Sequence, residues 1–116
     1  MKLTFIELPT FMGQIDKLGK PLSDEVLAAI ENDLLKDPQR GDIIQGTGGA
    51  RKARIADPSR GKGKRGGFRY IYVYFEFHGR IYLLLFYGKD AKDDLTKAEK
   101  KIIAESIKAT RASLKR

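Results

Sequence analysis

The spacing of apolar residues changes along the chain, from a helical period in the first part to strand-like alternation in the second. A short apolar strand at residues 2–8 is followed by apolar side chains at helical spacing over residues 11–18. A second helix is predicted from Ser23, a favourable N-cap residue, to Asp37-Pro38, because the residue before a proline disfavours helical geometry. The first part therefore predicts one strand and two helices.

Three strands are predicted in the second part. Residues 51–56 alternate between polar and apolar, whereas residues 68–77 and 80–87 are apolar on both faces, which is typical of central strands. His78-Gly79 predicts a two-residue hairpin turn between the last two strands. Counting from that turn pairs Arg69 with Gly88.

A capping box, Thr96 with Glu99, predicts the start of a last helix. Between the two parts, the glycine-rich residues 41–49 predict a loop with tight backbone turns, in which Ile43 and Ile44 can begin a short strand. The resulting order is β-α-α-β-β-β-α. We expect a single α+β domain over residues 1–116, with two N-terminal helices and a C-terminal helix on a mostly antiparallel β-sheet.

Positive charge is concentrated in one short window. The chain has a formal net charge of +8, and residues 51–70 carry eight Lys or Arg side chains against Asp57 alone. Such a block is typical of proteins that bind a polyanion, since interspersed charges would serve solubility better. The segment Gly61–Gly66 matches G-x-G-x-x-G, but a strand follows it where a dinucleotide site needs a helix. We interpret this segment as a basic loop that follows a phosphate backbone.

The composition excludes several classes of protein and site. There is no Cys and only one His, so disulfide frameworks, thiolate nucleophiles and Cys- or His-based metal cages are excluded. The longest apolar run, Ile81–Tyr87, is far too short to span a bilayer, and Glu7 comes too early for a signal peptide. We therefore expect a cytoplasmic protein with no metal and no cofactor.

Strand alternation predicts where the basic side chains point. Arg51 shares a face with the apolar residues of its strand, while Lys52 and Arg54 lie on the other face. Arg69 begins the next strand at the same end of the sheet, where the last strand ends. We predict that one rim of the sheet gathers five catalytic side chains: Lys52, Arg54, Arg69, Tyr87 and Lys89.

Such a cluster has the groups that cleave RNA without a metal or a cysteine. The ribose 2′-OH attacks the adjacent phosphate and the 5′ oxygen leaves, so the site must accept a proton, stabilise negative charge and donate a proton. Arginine holds phosphate in a bidentate fork, and a lysine among other cations loses its proton more readily. The side chains predicted to bind the RNA backbone are Arg51, Lys62, Lys64 and Arg65. Whether Lys52, Lys89 or Tyr87 transfers the proton stays open.

The most distinctive motifs lie in Ile44–Arg54, Gly61–Gly67, Phe68–Tyr72 and Leu83–Lys89. Together they resemble the RelE/HigB superfamily of bacterial toxins, and most closely its HigB-like branch with a basic glycine loop. The resemblance implies a toxin of a type II toxin–antitoxin pair that enters the ribosomal A site and cleaves messenger RNA there. It also implies a cognate antitoxin with a DNA-binding part. The family's cationic positions correspond to Lys52, Arg54 and Arg69, and the end of its last strand to Tyr87-Gly88-Lys89.

Two other functions stay open. A ParE-type toxin shares the fold and poisons DNA gyrase without being an enzyme, but it does not need Lys52 and Arg54 together with Arg69. An RNA-binding module without cleavage would carry the same basic patch.

Overall fold

The structure, a computed structural model, describes residues 2–59, 67–88 and 94–114. The predicted loop cations Lys62, Lys64 and Arg65, and also Lys89, lie outside these ranges. The strands are β1 (Thr4–Glu7), β2 (Asp42–Ile43), β3 (Ala50–Ile55), β4 (Phe68–Phe75) and β5 (Arg80–Tyr87), and the α-helices are α1 (Pro9–Ile15), α2 (Leu22–Lys36) and α3 (Lys97–Leu114). Short 3₁₀ helices follow α1 at Asp16–Leu18 and β4 at Glu76–His78.

The five strands form one sheet in the order β1-β5-β4-β3-β2. The edge strand β1 runs parallel to β5, and the other neighbouring pairs are antiparallel. The predicted α+β fold with a mostly antiparallel sheet is confirmed, and β4 and β5 are interior strands as their apolar faces indicated. The glycine-rich segment supplies the fifth strand, because Asp42 and Ile43 pair with Lys52 and Arg51.

Helices cover the sheet on both faces, and each face has its own hydrophobic core. Helices α1 and α2 pack on the face defined by Ala53, Tyr70 and Leu83, which we call the helix-pair face. Helix α3 packs through Ile103 and Ile107 on the opposite face, which we call the α3 face. None of the helices within the described ranges is both long and apolar enough to cross a membrane.

The hairpin between β4 and β5 differs from the prediction. Strand β4 ends at Phe75, which pairs with Arg80, so four residues connect the strands where two were predicted. The connection is a 3₁₀ turn that Gly79 closes with a left-handed φ of 62°, its N–H donating to the Glu76 carbonyl at 3.2 Å. The predicted two-residue turn at His78-Gly79 is therefore wrong, because the 3₁₀ turn takes Glu76 and its neighbours out of the strand.

A β-bulge in β5 changes the register a second time. Tyr72 pairs with Leu83 and Ile71 with Leu85, so Leu84 is an extra residue with no partner on β4. Leu84 and Leu85 consequently both contribute to the core of the α3 face. Beyond the bulge Arg69 pairs with Tyr87, and the predicted pairing of Arg69 with Gly88 is wrong.

The helix boundaries agree with two predictions and correct a third. Helix α2 ends at Lys36, before Asp37-Pro38, and the capping box of α3 is formed by Thr96 and Glu99, each donating its backbone N–H to the other's side chain at 2.8 and 3.1 Å. Ser23 is not the N-cap of α2. It lies inside the helix and is buried, and its N–H donates to the Gly19 carbonyl at 2.9 Å.

Candidate nucleic-acid interface

Strand β3 presents two cations on the α3 face. Ala53 and Ile55 belong to the core of the helix-pair face, so alternation places Lys52 and Arg54 on the opposite face. Arg54 is exposed, and the side chain of Lys52 is 37% exposed. At the start of β4, Gly67 allows a close approach to β3, because a Cβ there would collide with the Ile55 carbonyl.

Three predicted site residues form a row across three neighbouring strands. Arg54 on β3 pairs with Arg69 on β4, and Arg69 pairs with Tyr87 on β5. Paired residues on adjacent strands lie about 5 Å apart at their Cα atoms. We call Arg54, Arg69 and Tyr87 the cross-strand row. Lys52 lies on the same face beside it, since it pairs with Ile71 two residues along β4.

The phenol of Tyr87 is the unusual group of the cross-strand row. Its hydroxyl is buried and has no hydrogen-bond partner within the described part of the chain. Burial raises the pKa of Tyr87, the nearby negative charge of Glu99 raises it further, and the positive charge of Arg69 lowers it. At neutral pH the group is therefore a protonated phenol that donates a hydrogen bond and cannot accept a proton as a phenolate.

Two carboxylates near the row were not among the predicted site residues. Asp94 places Oδ1 3.6 Å from Nζ of Lys52, in a pair whose Asp side chain is 87% exposed. Glu99 lies on the first turn of α3 and acts on Tyr87 through its charge. The capping box identifies the backbone role of Glu99, but only the packing of α3 on β5 brings its carboxylate near Tyr87.

Arg51 is not brought together with the cross-strand row. It pairs with Tyr72, a core residue of the helix-pair face, and its Nη1 donates to the carbonyls of Gln39 and Gly41 at 2.9 and 2.7 Å. The guanidinium thus holds the segment after α2 against β3. Its predicted RNA contact stays a prediction, on a face away from Lys52 and Arg54.

The arrangement suits an anionic ligand. Three cations, Lys52, Arg54 and Arg69, share one face and one end of the sheet, where a phosphate chain meets charge and forked N–H donors. Tyr87 adds a neutral donor at the end of the row. Among the residues that the structure describes, no group of three or more His, Asp and Glu side chains is placed to hold a metal ion.

The fold was compared with known proteins. No family model matches the sequence. Among solved structures, a double arginine-to-alanine mutant of the E. coli toxin RelE in the free state matches with a TM-score of 0.59 and 14% identity, over 92% of this chain and 98% of that one. The isolated E. coli RelE toxin matches with a TM-score of 0.56 and 14% identity, over 94% of this chain and 99% of that one. The chain has a RelE-type fold. Within this RelE-type fold the cross-strand row occupies the α3 face, beside the first turn of α3.

Proposed function

We propose that the chain is the toxin of a type II toxin–antitoxin system, a single-domain cytoplasmic endoribonuclease of the HigB-like type that cleaves messenger RNA in the ribosomal A site. The RelE-type fold supports the class of protein. The observation that carries the activity is the cross-strand row, in which Arg54 and Arg69 pair on adjacent strands and Tyr87 follows on the third.

The reaction needs no group beyond side chains and RNA. The 2′-OH loses its proton to a base and its oxygen bonds to the adjacent phosphorus, while the bond from phosphorus to the 5′ oxygen breaks. The products are a 2′,3′-cyclic phosphate and a 5′-OH, which takes up one proton. Arg54 and Arg69 hold the phosphate and stabilise the additional negative charge of the pentacoordinate transition state. Lys52, on the same face, is a candidate base.

The proposed partners follow from charge and from the position of the site. Ribosomal and messenger RNA are polyanions that meet a chain of net charge +8. Lys62, Lys64, Arg65 and Lys89 extend the proposed RNA contact. The proposed antitoxin blocks the toxin, and an acidic surface on it would complement the same cations.

The test is cleavage of a defined messenger RNA by the purified chain, with and without ribosomes stalled at a known codon. The proposal expects cuts within the A-site codon only when ribosomes are present, with cyclic phosphate or 3′-phosphate ends. Absence of cuts in both conditions contradicts it. Inhibition of gyrase supercoiling by the same preparation would then identify a ParE-type poison, and retained ribosome binding would identify an RNA-binding module.

A further inference from the structure

The first turn of α3 sets a carboxylate beside the end of β5. Glu99 is fixed there by the reciprocal hydrogen bonds of the capping box with Thr96. Its side chain lines a cavity of about 280 Å³ whose other walls include the apolar residues Leu84, Leu85 and Ile102. A charge in such surroundings acts more strongly on a neighbour than it would in water.

The neighbour is the phenol of Tyr87. Its ring packs at the edge of the core of the α3 face, near Leu95, and its hydroxyl is buried with no partner in the described ranges. A buried hydroxyl that no protein group satisfies costs free energy, so its presence asks for a function. The charged groups around it are Arg69 directly opposite on β4, Arg54 next in the row, and Glu99 on α3.

We propose that Glu99 is the positioning residue that keeps the Tyr87 hydroxyl protonated, so that Tyr87 is the proton donor to the leaving 5′ oxygen. This inference rests on the proposed function and deepens it. It makes Tyr87 the acid of the reaction and leaves the base to another group.

The electrostatic balance supports the acid over the base. A phenolate at Tyr87 would be buried and would face the carboxylate of Glu99, and both effects favour the neutral phenol. During cleavage the proton passes from the Tyr87 oxygen to the 5′ oxygen, and the phenolate left behind faces the Arg69 guanidinium. Tyr87 then recovers a proton from solvent after the product leaves.

The first measurement follows Tyr87 in the free protein by NMR, with tyrosine labelled at the ring carbon that carries the oxygen. Tyr87→Phe assigns its signal among the five tyrosines. Glu99→Gln removes the charge and keeps the capping box, because glutamine also accepts from the Thr96 N–H. Glu105→Gln removes one charge from an exposed position of the same helix and is the matched control. We expect Tyr87 to ionise at lower pH in Glu99→Gln and at the wild-type pH in Glu105→Gln.

The second measurement is the pH profile of single-turnover cleavage on ribosomes. In Glu99→Gln the loss of rate at high pH should begin at lower pH, while Tyr87→Phe should lose about 10²–10⁴-fold at all pH values. An unchanged Tyr87 titration in Glu99→Gln overturns the inference. A shifted titration with no cleavage by the wild-type protein would support the coupling of Glu99 to Tyr87 and would show that the proposed function is what fails.

Discussion

Arg69 and Tyr87 lie directly opposite each other on β4 and β5, on the face that α3 covers. Leu84 is responsible, because this extra residue reverses the alternation of β5 and turns Tyr87 from the helix-pair face to the α3 face. Without the bulge, Arg69 and Tyr87 would be on opposite faces of the sheet. The bulge is therefore the local feature that completes the cross-strand row.

Removal of the Tyr87 hydroxyl should affect cleavage and spare stability. Tyr87→Phe keeps the packed ring and removes a buried hydroxyl that has no partner in the described part of the chain. We expect single-turnover cleavage to fall about 10²–10⁴-fold, with no loss of thermal stability. Tyr82→Phe is the control, since Tyr82 lies on the same strand and face but packs edge-on against Phe75, away from the row. Equal losses in both variants would remove the special role of Tyr87.

The ion pair of Lys52 with Asp94 should compete with RNA. The 3.6 Å contact places a carboxylate on the lysine where the proposed function places a phosphate. Asp94→Asn should therefore bind RNA more tightly and change the free energy of unfolding by less than about 1 kcal/mol, because the pair is exposed. Filter binding at two salt concentrations and urea unfolding measure the two quantities. Weaker binding in Asp94→Asn would show that Asp94 contributes to the RNA contact.

The basic loop is expected to bind and not to catalyse. Replacement of Lys62, Lys64 and Arg65 together by serine removes three positive charges. Each phosphate contact that is lost weakens binding and reduces its salt dependence. Ribosome association should fall more than the rate of the cleavage step at saturating toxin. A collapse of single-turnover cleavage with intact association would place the loop in the catalytic site instead.

Tyr70 and Tyr72 should respond differently to loss of their hydroxyls, although both are fully buried. The Tyr72 hydroxyl accepts from the Gly41 N–H at 3.0 Å and donates to the Pro38 carbonyl at 2.8 Å, whereas the buried Tyr70 hydroxyl has no partner among the residues described. Tyr72→Phe should cost about 1–3 kcal/mol, because it leaves the buried Gly41 N–H unsatisfied. Tyr70→Phe should be neutral or stabilising in urea unfolding at pH 7, and a large loss there would contradict this account.

The same two tyrosines predict how stability falls at high pH. Burial raises the pKa of both Tyr70 and Tyr72, so the folded state favours the neutral phenols. Their contribution is complete below about pH 10, where unfolded tyrosine is neutral, and is lost as the pH rises above that value. Tyr70→Phe should therefore show a smaller loss of stability between neutral and alkaline pH than the wild type. An identical alkaline loss in both proteins would contradict the sign of this linkage.

The elements of the fold could be predicted because their signals are local. The capping box of Thr96 and Glu99, the end of α2 before Asp37-Pro38 and the apolar faces of β4 and β5 each depend on residues close in sequence. Lys52 and Arg54 followed from alternation within one strand. Their catalytic roles stay predictions.

The register across the sheet could not be predicted in this way. The turn at Glu76–His78 and the bulge at Leu84 each shift the pairing of β5, and neither has a glycine or proline signal that fixes its position uniquely. Ser23 satisfies the preferences of an N-cap, yet tertiary packing starts α2 one residue earlier and buries it. The approach of Glu99 to Tyr87 depends on how α3 docks on β5, which no local pattern encodes.

The most direct test of the central claim compares Arg69→Ala with Arg80→Ala in single-turnover cleavage of ribosome-bound messenger RNA. Both variants remove one arginine from the central hairpin, but Arg69 lies in the cross-strand row and Arg80 is exposed at the opposite end, paired with Phe75. The account predicts that Arg69→Ala loses about 10²–10³-fold in rate while remaining folded, and that Arg80→Ala cleaves like the wild type. Undiminished cleavage by a folded Arg69→Ala protein would contradict it.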